Sequence, residues 1–147
     1  MILNRQRTVR LARHPLESFL RKVQNELGFQ GECITVCLLS DAEIARLNEA
    51  FRKKKGPTDV LSFPAVVRRR PVRLVSKTLK AGECLGDIAI SPATAWRYAK
   101  KHRRKLASEI RVLMLHGVLH LLGYDHEADR GEMDRIEKRL RKRLGLA

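Results

Sequence analysis

Three of the five histidines of the chain fall in one short stretch, LMLHGVLHLLGYDH, at positions 116, 120 and 126. A spacing of four is about one helical turn, so His116 and His120 project from one face and can aim two ring nitrogens at one point. Gly123 lets the chain turn sharply, and GYDH can return His126 to the same point. Three neutral imidazoles would hold one zinc ion and leave the fourth tetrahedral position for water or substrate, the arrangement of a catalytic site. The spacing is that of the extended zincin motif, but Gly117 stands where a metalloprotease carries its general-base glutamate. Peptide hydrolysis by the usual zinc route therefore lacks its proton acceptor. A lone histidine on an apolar helix is ordinarily a satisfied core or surface residue; the concurrence of both offsets is what points to a metal. His14, beside Pro15, and His102, inside KKHRRK, read as surface residues.

Lys and Arg number 31 against 16 Asp and Glu, a formal charge of +15 whose self-repulsion suits a polyanionic partner. The cations cluster as FRKKK at 51–55, VVRRRPVRLVSK at 66–77, KKHRRK at 100–105 and KRLRKRL at 138–144. Any one run reads as a solvated face, but four in so short a chain favour nucleic acid. An anionic membrane surface fits less well, because no strongly amphipathic, aromatic-bearing helix accompanies them. Arg52, Lys53, Lys54, Lys55, Lys100, Lys101, Arg103 and Arg104 are the candidate nucleic-acid contacts.

On a phosphodiester, zinc would lower the pKa of its bound water toward about 7 and polarise a phosphoryl oxygen. An arginine near the metal would oppose the charge that builds on the non-bridging oxygens. With glycine at 117 the proton acceptor stays open between zinc hydroxide, the 2′-OH of an RNA substrate, and Asp59, Asp87 or Asp125. Asp125 adjoins His126 and could instead orient a ligand, as could Glu109, one or two turns before His116. Asp59 and Asp87 equally suit turn and sheet carboxylates. Trp96 and Tyr98 are expected to pack partly into the core, with base stacking as the alternative.

The elements that must position these residues are legible in outline. Leu16, Phe19, Leu20, Val23 and Leu27 recur at helical spacing, with Pro15 early and Gly28 past the end. Cys33 to Leu39 reads as a strand; Ser40 with Glu43 is a capping box opening a helix to about Phe51. VLSFP and CLGDIAIS read as strands. Ser91 and Pro92 open a helix, a nearly all-apolar helix begins near Leu106 or Ser108 and ends at Gly123, and a last amphipathic helix runs from about Asp129 to Leu144. Residues 65–82 lack periodicity and read as a long hairpin or loop. The odd cysteines Cys33, Cys37 and Cys84, with no CxxC spacing, read as inert core thiols. The expected fold is α+β, a single domain over 1–147 with a small mixed sheet of about four strands, about five helices and a zincin-like metal-binding helix. No run is long enough to span a bilayer and the N-terminus lacks a signal peptide's apolar segment, so a soluble cytoplasmic protein is expected.

HGVLHLLGYDH at 116–126 meets in full the signature H-G-x-L-H-L-x-G-Y-D-H, and LNEAFRKKKGPTDVLSFP at 47–64 and LGDIAIS at 85–91 match two further blocks. On these residues the chain resembles the YbeY family of rRNA maturation factors nearly end to end. The resemblance implies a zinc-dependent, single-strand-specific endoribonuclease that matures the 3′ end of 16S rRNA and serves ribosome quality control. It makes His116, His120 and His126 the ligands of one zinc ion, Arg52 with His116 the catalytic residues, and rRNA and the small ribosomal subunit the partners, with ribosomal proteins or a ribosome-associated GTPase beside them. The segment 66–77, often acidic in relatives, is strongly basic here. Two competing readings are a non-catalytic ribosome-assembly factor with a structural zinc and a metallohydrolase of another class. The open coordination position argues against the first, Gly117 against a protease.

Overall fold

The computed structural model describes residues 1–28, 34–65, 84–125, 127 and 129–146. Among them the elements follow in the order β1 (Ile2–Asn4), α1 (Arg13–Leu27), β2 (Ile34–Leu38), α2 (Asp41–Arg52), β3 (Val60–Pro64), β4 (Gly86–Ile90), α3 (Pro92–Lys101), α4 (Leu106–Leu121) and α5 (Glu132–Arg143). The four strands form one sheet in the order β1-β2-β4-β3, with β1, β2 and β4 parallel and β3 antiparallel to β4. This is the α+β domain with a mixed sheet and five helices that the sequence led one to expect.

Period-two alternation divides the sheet into two unlike faces. Ile34, Val36 and Leu38 of β2 and Ile88 and Ile90 of β4 join Leu20, Val23, Met114 and Leu119 in the main core, between the sheet and helices α1 and α4. On the other face Leu39, Ile44, Leu61 and Ala89 form a smaller cluster under α2, with Cys37 and Phe63 half-covered. β2 is therefore fully buried on one side only. Cys37 sits on the open side, Cys84 is exposed and so is not a core thiol, and Cys33 lies outside the described residues.

β1 is the strand the sequence reading did not single out, since three residues are too few to show a period. It is held at its start, where the terminal ammonium donates to the Ile34 carbonyl at 2.9 Å and the Ile2 N–H donates to the Glu17 carboxylate at 2.9 Å. The Ser40 hydroxyl caps α2 by accepting from the Glu43 N–H at 3.2 Å. One residue on, the Asp41 carboxylate accepts from Ser91 at 2.6 Å and Thr94 at 2.7 Å and pairs with Arg97 at 2.9 Å, so the starts of α2 and α3 are clasped together. Partial burial pushes the Asp41 carboxyl up, but the hydrogen bonds from Ser91, Thr94 and Arg97, and the Arg97 charge, outweigh it and hold it below the usual carboxylate value.

Helix α4 buries Ile110, Leu113, Met114, Leu115, Val118, Leu119 and Leu121, residues on nearly every side, as befits a helix packed under the sheet with α3 and α5 against it. Trp96 and Tyr98 depart from expectation: on α3 the inward ridge is Pro92, Ala95 and Ala99, and these two residues stay 46% and 43% exposed. The hairpin or loop expected over 65–82 lies, but for Ala65, outside the described residues. No helix among the described residues is long and apolar enough to cross a membrane.

Candidate active site

A cleft of about 540 Å³ runs along β3, between the C-terminal end of α2 and the last turns of α4. Its walls bring together residues far apart in sequence: Arg52, Asp59, His116, His120, Tyr124 and Asp125.

His116 and His120 stand one turn apart on α4, half-buried, their rings 4.5 Å apart and their Nε2 atoms 3.0 Å apart. Two imidazole nitrogens bound tetrahedrally at 2.0–2.1 Å would be separated by about 3.3 Å, so the observed convergence fits a shared zinc-sized cation to within a few tenths of an ångström. Nδ1 of His116 lies 3.2 Å from Glu137 Oε1, on α5. A carboxylate only accepts, so this contact places the ring proton on Nδ1 in the neutral imidazole and leaves Nε2 with its lone pair toward His120. His126 lies outside the described residues, and among those described no group of three metal-binding side chains is gathered.

Gly117 has a steric cause. A Cβ built there would lie 2.8 Å from Cγ2 and 2.9 Å from Cδ1 of Ile88, a fully buried residue of β4. Helix and sheet meet at that glycine, and its carbonyl accepts from the Ser62 hydroxyl at 3.3 Å. The position that bears the general base in a metalloprotease faces the core here, with no room for a carboxylate. Gly86, which opens β4, is equally constrained: its φ is +135°, and a Cβ would run into the Phe63 carbonyl oxygen.

Arg52 is the last residue of α2, stopped there by Lys53 in the left-handed conformation, φ 56°. The buried Asn48 donates from Nδ2 to the Gly56 carbonyl at 3.0 Å and fixes the KKKG turn, which leaves Arg52 at the cleft. Beside it Phe51 is 66% exposed and meets Phe63 edge-on at 5.1 Å. Lys53, Lys54 and Lys55 follow, exposed.

The carboxylates proposed from sequence divide cleanly. Asp59 and Asp125 line the cleft; Asp59 also accepts the Ser91 N–H on its carbonyl at 2.9 Å, and the Asp125 side chain accepts the Glu127 N–H at 3.0 Å. Asp87 does not reach it. It is exposed on the α2 face of the sheet, in a hollow with Cys37 and Arg5, where burial first, and then the Asp87 charge, push the Cys37 thiol up against the opposing pull of Arg5. Glu109 is likewise elsewhere: it is 5% exposed at the start of α4, with Arg104 at 3.7 Å, and two turns of helix separate it from His116. Lys100, Lys101, Arg103 and Arg104 are exposed at the far end of α3, outside the cleft lining.

The cleft holds residues the sequence reading passed over. Glu127 and Tyr124 line it, and burial pushes the Tyr124 phenol up, partly opposed by Arg139. Glu137 carries a signal that was available, being the only acid from Arg135 to the end of the chain. What sequence could not show is that α5 packs so as to bring this one acid to His116.

A profile of the family described as Endoribonuclease YbeY matches residues 1–145. Endoribonuclease YbeY of Solibacter usitatus is 45% identical over 136 residues, 92% of this chain and 82% of the relative. The protein of that name from Koribacter versatilis is 40% identical over 146 residues, 99% of this chain and 86% of the relative. A solution structure of a Thermotoga maritima protein superposes with a TM-score of 0.64 at 26% identity, over 98% of this chain and 89% of that one.

Proposed function

The chain belongs to the YbeY endoribonuclease family, and from that premise we propose that it is a metal-dependent, single-strand-specific endoribonuclease acting on ribosomal RNA in the cytoplasm. The observation that carries this reading is the convergence of the His116 and His120 Nε2 atoms, 3.0 Å apart, in the same cleft as Arg52. One zinc ion would be held by these two residues and His126. When bound it supplies a Lewis acid at the point where the imidazole nitrogens meet.

The protein's own groups do the rest. Arg52 presents a planar guanidinium that binds two phosphoryl oxygens at once and opposes the charge gathering on them as the phosphodiester is attacked. Glu137 holds His116 by its Nδ1 proton and keeps Nε2 aimed. Water attacks the phosphorus as the P–O bond to the leaving ribose oxygen breaks; the water's proton passes to one of the wall carboxylates, Asp59, Asp125 or Glu127, and is returned to that leaving oxygen. Phe51, exposed beside Arg52, offers a ring to an unpaired base, which supports a preference for single strands. Maturation of the 3′ end of small-subunit rRNA and quality control of assembled particles are the work this reading assigns, with the small subunit, its proteins or a ribosome-associated GTPase as partners.

The test is cleavage of a labelled single-stranded RNA bearing the 3′ region of precursor small-subunit rRNA. Zinc-loaded wild type is compared with His116→Ala and Arg52→Ala at matched RNA occupancy. Wild type cuts and both variants fall by orders of magnitude while still binding. If all three bind equally and none cuts, on free RNA or on ribosomal particles, the histidines are a structural clasp and the protein is an assembly factor.

A further inference from the structure

The outward face of α3 is absorbed neither by the core nor by the cleft. Its buried ridge is Pro92, Ala95 and Ala99. Trp96 and Tyr98 lie two residues, about 200°, apart around the helix, and the outward arc between them carries Arg97, Lys100 and Lys101. Two exposed aromatic rings therefore bracket three cations. The Lys100 ammonium stands 5.0 Å from the centre of the Trp96 ring, and Tyr98 meets the His102 ring at 4.2 Å. Between Asp87 and Glu109 the chain has no acidic residue and six Lys or Arg. Arg97 and Arg104 have acidic partners, Asp41 at 2.9 Å and Glu109 at 3.7 Å, while Lys100 and Lys101 are exposed. The helix starts beside the cleft, since the Ser91 N–H that precedes it donates to the carbonyl of Asp59.

Trp and Tyr left half in water beside ammonium groups suit a ligand with flat apolar faces and regularly spaced negative charges. We propose that this face of α3 is a second docking surface for single-stranded RNA, where unpaired bases stack on Trp96 and Tyr98 while Lys100 and Lys101 meet the phosphates. Its task is to anchor substrate outside the cleft; it rests on the reading of the cleft as RNA-cleaving. Duplex RNA would engage the lysines but keep its bases stacked away from the rings. An acidic protein segment would do the same, leaving the aromatic pair unused.

Trp96 is the only tryptophan of the chain, so its fluorescence reports this surface alone. The full chain carrying His116→Ala, which prevents turnover, is titrated with a short oligouridylate, with polyphosphate and with polyaspartate. Oligouridylate quenches Trp96 and the two base-free polyanions do not. By anisotropy of labelled RNA, Trp96→Ala and Tyr98→Ala, both at exposed positions that fold normally, each weaken binding about fivefold or more. Lys100→Glu with Lys101→Glu flattens the log–log salt slope by about 1.4, at 0.7 per lost phosphate contact. RNA binding with unchanged fluorescence and undiminished affinity in the aromatic variants would overturn the proposal and leave the cleft as the RNA site. Quenching by polyaspartate and not by RNA would overturn it in favour of a protein partner. Quenching by RNA in a protein whose wild type never cuts would uphold the surface while the nuclease reading falls.

Discussion

Position 117 serves two requirements at once: α4 must lie close enough to β4 to bury its apolar sides, and the histidines one residue before and three after must still face the cleft. Any side chain there pushes against Ile88, whose branched carbons have no free space to move into. Gly117→Ala is expected to lose about 1–3 kcal/mol to overpacking, against which the better helix propensity of alanine returns about 1 kcal/mol. A lowered thermal midpoint checks the sign, and a rise would mean the sheet yields more readily than its packing indicates. The same geometry explains why the histidine spacing of a metalloprotease occurs here without its base. That conclusion was half legible: the sequence shows the missing glutamate, and only the packing shows that none would fit. Glu137 is the converse case, a contact to His116 made across 21 residues by the docking of α5. Glu137→Ala is expected to weaken zinc binding about 10–100-fold, measured by chelator competition, while Glu137→Gln, which keeps an oxygen acceptor for Nδ1, retains most of the affinity. Equal affinities in all three proteins would remove Glu137 from the site.

Among the elements, the clasp fastens the start of α2, the helix that ends at Arg52, to the start of α3. Asp41 holds it as a carboxylate with its pKa held low, and the sign of its pH dependence follows. Its contribution is fully present above the unfolded aspartate value of about 3.9 and fades as pH falls through the lower folded value. Unfolding free energies of wild type and Asp41→Asn from urea melts should therefore differ near neutral pH, by about 1 kcal/mol or less for a partly exposed group, and converge in acid. A difference that grew toward low pH would contradict the clasp. Most elements were readable because each has a local cause: the Ser40 and Ser91 caps, Gly28 after α1, the short apolar runs of β3 and β4. What was not readable depends on partners far along the chain. β1 is a strand only because β2 lies beside it, and Trp96 and Tyr98 stay outside because small alanines, not the aromatic residues, make the ridge of α3.

For the whole molecule the governing quantity is the charge of +15, and salt acts on it in two opposed ways. Alone, the folded chain crowds its cations together, and screening relieves that repulsion. With a Debye length near 10 Å at 0.1 M salt, neighbouring basic runs cease to interact strongly as ionic strength rises. The thermal midpoint of the free protein should therefore climb with salt, about 2–4 °C for each kcal/mol of repulsion removed. RNA binding runs the other way, because each phosphate neutralised on a single strand releases counterions and contributes about −0.7 to the log–log slope. A strand held by about six basic side chains gives a slope near −4, roughly a 300-fold loss of affinity between 50 and 200 mM salt. Since a ligand that binds only the folded state stabilises it, the midpoint with saturating RNA at low salt should exceed that of the free protein, and the gap should close as salt is added. The two melting curves, with and without RNA, thus approach each other from opposite directions. A free protein indifferent to salt would show that its cations are already paired, and an RNA-bound midpoint equally indifferent would show that the charge is not there for a polyanion.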